Sequence, residues 1–280
     1  QQRSPDVAVF TNFMPDHLNY YQRDGATEAE ALTRYFADKA NIFRYQDEAA
    51  TFITTPDVFS QAQMFTQDLN ITLGQEVVMA DASLLPEEGL LAMPGEHNRQ
   101  NAALAYEALK ALGLTDEKIL PSFSTFPGVP ARMQYLGSLV EPLVPVYNDN
   151  NATTPQATTA ALQTLGKETT VVLIAGGADK QLELADWVAA MKQYCRTVIL
   201  LPGSGTDRLR GELDKAAVVY EDAPDVATAL TKAHETAQAG DSIIFSPGFA
   251  SFGQFANEYE RHDAFVSAFD TLTATTTDEV

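Results

Sequence analysis

The sequence is poor in cysteine, in basic residues and in long apolar runs. Cys195 is its only cysteine, so the chain can form neither an internal disulfide nor a zinc site built on several cysteines. Only 18 lysines and arginines stand against 38 acidic residues, and the net charge of −20 argues against a nucleic-acid interface or an anionic membrane partner. No apolar run is long enough to span a membrane, and no signal region opens the chain. We expect a cytoplasmic, monomeric protein that binds neither nucleic acid nor membrane.

The pattern of apolar residues predicts two α/β parts, residues 1–128 and 129–280, joined at the rigid connector Phe126–Pro130. After the connector, apolar strands alternate with amphipathic helices, which is typical of a doubly wound, mostly parallel, Rossmann-like sheet. The predicted strands are Val144–Tyr147, Val171–Ala175, Val198–Leu201, Ala217–Tyr220 and Ser242–Ser246, and the predicted helices are Pro155–Leu165, Leu182–Gln193, Asp225–Ala237 and Phe255–Phe269. We expect the threonine-rich tail, Thr271–Val280, to be frayed.

The front part opens on Val7–Asn12, which has the composition of a buried central strand. Domains rarely begin on a central strand, so we expect a preceding layer of structure to be absent from these 280 residues. Further predicted elements are a helix over Glu28–Phe43 with a capping box at Thr27 and Glu30, strands over Ala50–Thr55 and Gln75–Ala80, and helices over Asp57–Gln67 and Asn98–Leu112.

Polar clusters follow several predicted strands. Ligands of parallel sheets bind beyond the carboxyl ends of the strands, so these clusters are candidate binding loops. They are Thr11–Asn12 with Asp16–His17, then Asn148–Asn150, Gly176–Lys180 and Ser246–Ser251. Taken one at a time, each also has a simpler explanation: Gly176–Gly177 as an ordinary turn, Asp16–His17 as a helix cap rather than a metal pair, Lys39 and Arg132 as solvated surface cations, and Asn98 with Asn101 as capping residues.

Six segments, in one order along nearly the whole chain, resemble the Mur ligase family. They are Thr11–Leu18, Ala37–Phe43, Pro94–Ala103, Phe126–Arg132, Asn148–Pro155 and Ser246–Phe255. The first three are similar to that family's central ATPase-type α/β domain, Phe126–Arg132 to its hinge, and the last two to its C-terminal domain. Ser246–Phe255 is most similar to the member that adds D-glutamate.

The resemblance implies an ATP-dependent ligase that activates a carboxylate as an acyl phosphate, which the amine of an amino acid then attacks. The implied substrates are D-glutamate and UDP-N-acetylmuramoyl-L-alanine, a precursor of peptidoglycan, and the implied cofactors are ATP and Mg²⁺. Phosphoryl transfer needs the metal and fixed cations to stabilise the developing charge.

The resemblance also implies roles for individual residues. His17 and a carbamylated Lys39 would hold Mg²⁺, and with Lys180 they form the implied catalytic group. Asn98 and Asn101 would reach the adenine, Arg132 a phosphate of ATP, and Asp149 the ribose hydroxyls. Lys180, Thr153, Ser251 and Phe252 would surround the incoming D-glutamate, with Lys180 as the charge for its carboxylate.

The chain also departs from the family pattern. It lacks the glycine-rich phosphate loop that ends in Gly-Lys-Thr or Gly-Lys-Ser, and Asn151 and Glu258 replace a lysine and an aromatic residue of the family. We therefore expect these 280 residues alone to be inactive and to belong to a longer ligase chain. Two alternatives stay open: a non-catalytic module that binds nucleotide or amino acid, and a Mur or folylpolyglutamate-type ligase for a different amino acid.

Overall fold

The computed structural model describes residues 3–16, 18–86 and 95–277. These residues form two compact units, and the chain passes from the first to the second between Pro127 and Gly128, within the predicted connector. That the connector is a hinge, and that the two units bind nucleotide and amino acid, stay predictions.

The first unit is built around three parallel strands in the order β1-β2-β3. The strands are β1 (Val7–Val9), β2 (Thr51–Thr54) and β3 (Glu76–Met79). The α-helices are α1 (Leu18–Tyr21), α2 (Glu28–Lys39), α3 (Pro56–Asp68), α4 (Glu96–Ala111) and α5 (Asp116–Thr125), with 3₁₀ turns at Ala40–Ile42 and Ala82–Leu84.

The predicted capping box at the start of α2 is present. The Thr27 hydroxyl accepts a hydrogen bond from the Glu30 amide, and the Thr27 amide donates to the Glu30 carboxylate at 2.8 Å. The helix ends earlier than predicted, at Lys39, and a 3₁₀ turn carries the chain on to Phe43. The fully buried Phe43 ring stacks on Phe52 of β2, with ring centroids 4.4 Å apart, so the apolar spacing there reflects core packing rather than continued helix.

The predicted buried strand at Val7–Asn12 is present as β1, although it ends at Val9 and lies at the edge of the described sheet rather than in its centre. Its apolar run is explained because both faces of β1 are covered. Val7 and Val9 pack with the cluster that includes Leu104 of α4, whereas Ala8 packs with the aromatic cluster around Phe36 of α2.

The second unit contains a six-stranded sheet in the order β4-β5-β9-β6-β7-β8. Every neighbouring pair is parallel except β4 with β5, which is antiparallel. The strands are β4 (Gln134–Leu139), β5 (Val144–Asn148), β6 (Thr170–Ala175), β7 (Cys195–Leu200), β8 (Tyr220–Asp222) and β9 (Asp241–Phe245). The helices are α6 (Pro155–Leu165), α7 (Ala185–Tyr194), α8 (Ser204–Ala216), α9 (Val226–Thr236) and α10 (Glu258–Thr277).

Helices cover both faces of this sheet, which confirms the predicted doubly wound α/β fold. Successive side chains of a strand point to opposite faces. In β6, Val171, Leu173 and Ala175 pack with α6, α7 and α8, whereas Val172 and Ile174 pack with α9 and α10. Burial on both faces explains why β6 is apolar along its length instead of alternating.

Several predicted elements in the second unit were wrong. The strand placed at Ala217–Tyr220 begins only at Tyr220, because Ala217 is the left-handed C-cap of α8, a helix absent from the prediction. The last helix begins at Glu258 rather than Phe255 and runs to Thr277 rather than Phe269. The part of the tail up to Thr277 is thus helical rather than frayed. Threonine hydroxyls there bond to carbonyls of the preceding turn, as Thr273 does to Phe269 at 3.0 Å. The prediction also omitted α5 and the antiparallel strand β4.

Candidate active site

Four loops of the second unit meet at the carboxyl edge of its sheet, after β5, β6, β7 and β9. Backbone hydrogen bonds tie them together. The Gly176 amide donates to Pro247 O, and the Gly248 amide donates to Ala152 O, at 2.9 and 2.8 Å. Ala178 and Ala250 form an antiparallel bridge across two of the loops. The three polar clusters of the second unit, Asn148–Asn150, Gly176–Lys180 and Ser246–Ser251, therefore form one surface.

Two glycines allow the loops to approach this closely. Gly177 has φ +143°, and a Cβ built there would lie 2.3 Å from Ala250 O. Gly248 has φ +69°, and a Cβ built there would lie 2.2 Å from the ring of Trp187. Only a residue without a side chain fits such positions. Gly176–Gly177 is therefore more than an ordinary turn, because it lets the loop after β6 contact the loop after β9.

Asp149 follows β5 and is buried, with 7% of its surface exposed. One carboxylate oxygen accepts from the Met133 amide at 3.1 Å, and the other accepts from the Ser246 hydroxyl at 2.8 Å. Burial raises the pKa of Asp149 to about 6, although the hydrogen bonds from Ser246 and Met133 and the charge of Arg132 act in the opposite direction. The group is mostly ionised at pH 7, so its oxygens remain acceptors with lone pairs for further donors. This fits the predicted contact with ribose hydroxyls, and the contact stays a prediction.

Lys180 and Thr153 lie together, as the resemblance implies. The Lys180 ammonium donates to the Thr153 hydroxyl at 3.3 Å, and both side chains are partly buried. The two residues come from the loops after β6 and β5, so only the folded sheet brings them together. A lysine held against a hydroxyl at the mouth of a sheet can bind a carboxylate.

The other two residues predicted around D-glutamate differ in exposure. Ser251 is buried, with 5% of its surface exposed, and its carbonyl accepts from the Phe255 amide. The neighbouring Phe252 is 64% exposed. The Phe252 ring is available to a ligand, whereas Ser251 holds the turn that presents it.

Arg132 is exposed, and its charge acts on the nearby Asp149 carboxylate. Asn151, which stands where the family has a lysine, donates its amide to Ala131 O at 3.0 Å. The segment Ala131–Met133, which carries Arg132 and precedes β4, is thus fixed to the loop after β5.

Sequence reasoning missed Arg261, which lies in α10 with 1% of its surface exposed. Its guanidinium donates to the side chain and carbonyl of Asn150 at 2.7 and 3.0 Å, and to Phe249 O at 3.2 Å. Burial lowers the pKa of Arg261 to about 10, so it stays charged at neutral pH. The only sequence signal is one arginine on the apolar side of a helix, next to Phe265.

Sequence reasoning also missed Arg208 of α8, because the prediction omitted that helix. Its guanidinium donates to both carboxylate oxygens of Asp179, at 3.0 and 2.8 Å, and also to Leu182 O. Asp179 directly precedes Lys180 in the loop after β6.

In the first unit, Lys39 is exposed at the end of α2, and its ammonium lies 5.4 Å from the centroid of the Tyr35 ring. Burial and then the charge of Asp16 raise the pKa of Tyr35, which places the Asp16 carboxylate near the same ring. His17, the other predicted metal ligand, lies outside the described residues.

The two predicted adenine contacts, Asn98 and Asn101, lie one turn apart near the start of α4. Asn98 is partly buried and Asn101 is exposed. Gln100, between them, donates its side-chain amide to Ala80 O after β3 at 3.3 Å, which places this turn of α4 next to the end of β3.

No three His, Cys, Asp or Glu residues are grouped to hold a metal ion anywhere in ranges 3–16, 18–86 and 95–277. An unmodified Lys39 is a cation and cannot bind one either. The described residues therefore do not by themselves fit Mg²⁺, and we derive no step through it.

Comparison with known proteins gives the same family as the resemblance of the sequence motifs. Residues 131–249 match the family model described as Mur ligase, glutamate ligase domain. A UDP-N-acetylmuramoylalanine--D-glutamate ligase of Streptococcus sanguinis (strain SK36) is 32% identical over 281 residues, which cover 96% of this chain and 60% of that protein. The protein of the same name from Streptococcus pneumoniae (strain P1031) is 31% identical, over 95% of this chain and 59% of that protein. Residues 131–249 therefore form a Mur ligase glutamate ligase domain. The chain spans about 60% of the length of the curated relatives that it matches.

Solved structures share the fold of this chain. UDP-N-acetylmuramate-alanine ligase of Thermotoga maritima matches with a TM-score of 0.64 at 18% identity, over 96% of this chain and 60% of that one. Folylpolyglutamate synthase of Mycobacterium tuberculosis, solved with ADP, matches with a TM-score of 0.65 at 18% identity, over 96% of this chain and 64% of that one. Among residues 3–16, 18–86 and 95–277, none of the helices has the length and hydropathy of a membrane span.

Proposed function

We propose that this chain is part of a cytoplasmic, ATP- and Mg²⁺-dependent ligase that joins D-glutamate to UDP-N-acetylmuramoyl-L-alanine during synthesis of a peptidoglycan precursor. The observation that carries the proposal is the contact of Lys180 with Thr153, 3.3 Å apart, at the carboxyl edge of the second sheet. The name of the relatives that share 31–32% identity with the chain supports the choice of substrate.

The proposed chemistry forms one amide bond. A carboxylate oxygen of the uridine-linked substrate attacks the γ-phosphorus of ATP, and ADP leaves. The amine of D-glutamate, after losing a proton, attacks the carbonyl carbon, and phosphate leaves with the oxygen. Lys180 and Thr153 hold a carboxylate of D-glutamate so that its amine faces this carbon, which supplies orientation rather than chemistry.

The proposal also assigns residues of this chain to the parts of the nucleotide. Arg132 offers an exposed cation for a phosphate, and Asp149 offers an ionised carboxylate for the ribose. Asn98 and Asn101 would bind the adenine, and Lys39, once carbamylated, would bind the metal together with His17. The acidic charge of the chain as a whole makes these few cations more important, because little else offsets repulsion of the triphosphate.

The test is release of phosphate by the protein encoded by the whole gene, with ATP, Mg²⁺, the uridine-linked substrate and one amino acid at a time. We expect release with D-glutamate and none with L-alanine or L-glutamate. Release that depends on a different amino acid would overturn the substrate assignment.

A pair of variants tests the role of Lys180. Lys180→Met removes the cation, and we expect the KM for D-glutamate to rise by at least tenfold, about the effect of losing one hydrogen bond to a charged group. Lys192→Met is the matched control, because Lys192 is an exposed lysine of α7 in the same unit. Equal KM values in the two variants would contradict the assignment.

A further inference from the structure

The loop between β6 and α7 carries Lys180, and side chains of α8 bind to this loop. Asp179, the residue before Lys180, donates its amide to the Ser204 hydroxyl at 3.1 Å. Its carboxylate accepts from Arg208 at 3.0 and 2.8 Å, one bond to each oxygen. Ser204 and Arg208 both belong to α8, so this helix fixes the position of Asp179 through two separate contacts.

The same ion pair fixes the residues after Lys180. The Gln181 amide donates to the Asp179 carboxylate at 2.8 Å, and Arg208 also donates to Leu182 O. Gln181 has φ +60°, a left-handed conformation that is disfavoured for a residue with a side chain. The bond from its amide to Asp179 offsets that preference, so the turn depends on the carboxylate staying in place.

The Arg208–Asp179 ion pair is less exposed than most surface ion pairs, so it can hold the turn around Lys180 more firmly. The side-chain exposures are 36% for Arg208 and 18% for Asp179. The guanidinium is held at two nitrogens, because Nη1 donates to both Asp179 oxygens and Nη2 donates to Leu182 O. Lys180 lies between the two points that Arg208 holds, at Asp179 and Leu182. Any shift of this turn moves the root of the Lys180 side chain relative to Thr153, which is on a different loop.

We propose that Arg208 is a positioning residue for the amino-acid substrate: through Asp179 and Leu182 it holds the turn that points Lys180 at Thr153. This inference rests on the proposed function, in which the Lys180 ammonium binds a carboxylate of D-glutamate. Arg208 acts through Lys180 and does not touch the substrate.

The test compares Arg208→Gln with Arg210→Gln. Arg210 is a matched control because it lies on the same helix and is also ion-paired, to Asp207 and Asp222. In the protein encoded by the whole gene, we expect Arg208→Gln to raise the KM for D-glutamate about tenfold, since a misplaced binding group loses about one charged hydrogen bond. The KM for ATP should stay within about twofold, because Arg132 and Asp149 lie outside the turn that Arg208 holds, before β4 and after β5.

Hydrogen exchange gives a second readout that does not depend on activity. The amides of residues 179–182 should exchange faster in Arg208→Gln than in Arg210→Gln, because only the first substitution frees the turn. Asp179→Asn is a milder variant for the case that Arg208→Gln fails to fold, because it keeps an acceptor for the Gln181 amide. It should raise the KM for D-glutamate and speed exchange at residues 179–182, both by less than Arg208→Gln.

The outcomes separate the two proposals. Equal exchange at residues 179–182 in the two arginine variants would overturn the positioning role. The same holds if Arg208→Gln raises the KM for ATP as much as the KM for D-glutamate. If the unmodified protein releases no phosphate with D-glutamate, the proposed function fails, and the exchange rates alone then decide whether Arg208 holds the turn.

Discussion

Replacing Asp149 with asparagine should change how the stability of the second unit depends on pH. The carboxylate is buried, and its pKa is raised from 3.8 to about 6 in the folded chain. A raised pKa in an acid means that the folded state holds its proton at pH values where the unfolded state has lost it. The contribution of this group to stability is therefore highest below pH 3.8 and declines as the pH rises from there to about 6.

The size of the effect follows from the two pKa values. Linkage between 3.8 and about 6 gives a loss of about 1.4 kcal/mol in the free energy of unfolding as the pH rises from 5 to 7.5. The amide of the Asp149→Asn variant would not titrate, so the stability of that variant would lack this component. The amide could still accept from the Met133 backbone N–H and donate to the Ser246 hydroxyl, which also lies 2.9 Å from the Thr158 hydroxyl. The asparagine variant should thus fold.

The assay is urea unfolding of both proteins at several pH values, followed by fluorescence. Trp187 is the only tryptophan, and it is buried in the core of the second unit, so its emission reports on that unit. Subtracting the variant from the unmodified protein removes the other titrating groups. A difference that stays constant to within about 0.3 kcal/mol between pH 5 and 7.5 would refute the reasoning, as would a difference of the opposite sign.

Three further predictions concern the fold. Gly248→Ala should destabilise the second unit by about 2–4 kcal/mol, because the new Cβ would collide with the Trp187 ring and the backbone there is left-handed. Urea unfolding would measure the change in the free energy of unfolding, and a loss below about 1 kcal/mol would contradict the geometry. Thr27→Ala should cost the first unit about 1 kcal/mol by removing the cap that bonds to the Glu30 amide, measured as faster amide exchange in α2, with no change in α9 as the control. Cys195 should react with thiol reagents more slowly in the native chain than in urea, because burial raises the pKa of its thiol; equal rates would show that the thiol is accessible.

The regular elements of the second unit were the most predictable part of the fold. Pro155–Leu165 was predicted with its observed bounds, since Thr154 caps the helix, Pro155 opens it and its apolar residues repeat at helical spacing. Helix α8 was missed, because it starts at Gly203–Ser204–Gly205, a composition that favours a loop. Gly205 in its first turn lies under the ring of Phe249, where an added Cβ would be 2.4 Å from a ring carbon, and no local pattern contains this contact.

The residues of the candidate site also fall into a group that the sequence identified and a group that it missed. Residue types and their order along the chain were enough to identify the Mur ligase resemblance, which implied roles for Lys180, Thr153 and Asp149. Lys180 and Asp149 were also candidates by position, because binding loops follow the carboxyl ends of strands in a parallel sheet. The supporting residues could not be found in that way. Arg208 and Arg261 come from helices, and a single arginine in an amphipathic helix usually lies in solvent.

The sequence by itself was sufficient for the Mur ligase resemblance, for the α/β class and for a prediction of the residues that meet a nucleotide and an amino acid. Hydrophobic periodicity and short motifs are local, so a linear pattern is sufficient for them. Only the tertiary structure decided that Lys180 lies against Thr153, that the Asp149 carboxylate is buried against Met133 and Ser246, and that α8 holds the turn around Lys180. The contacts of Lys180, Ser246 and α8 depend on the sheet order β5-β9-β6-β7, which brings together loops that are far apart in the chain. The contact of Asp149 with Met133 depends on the pairing of β5 with β4.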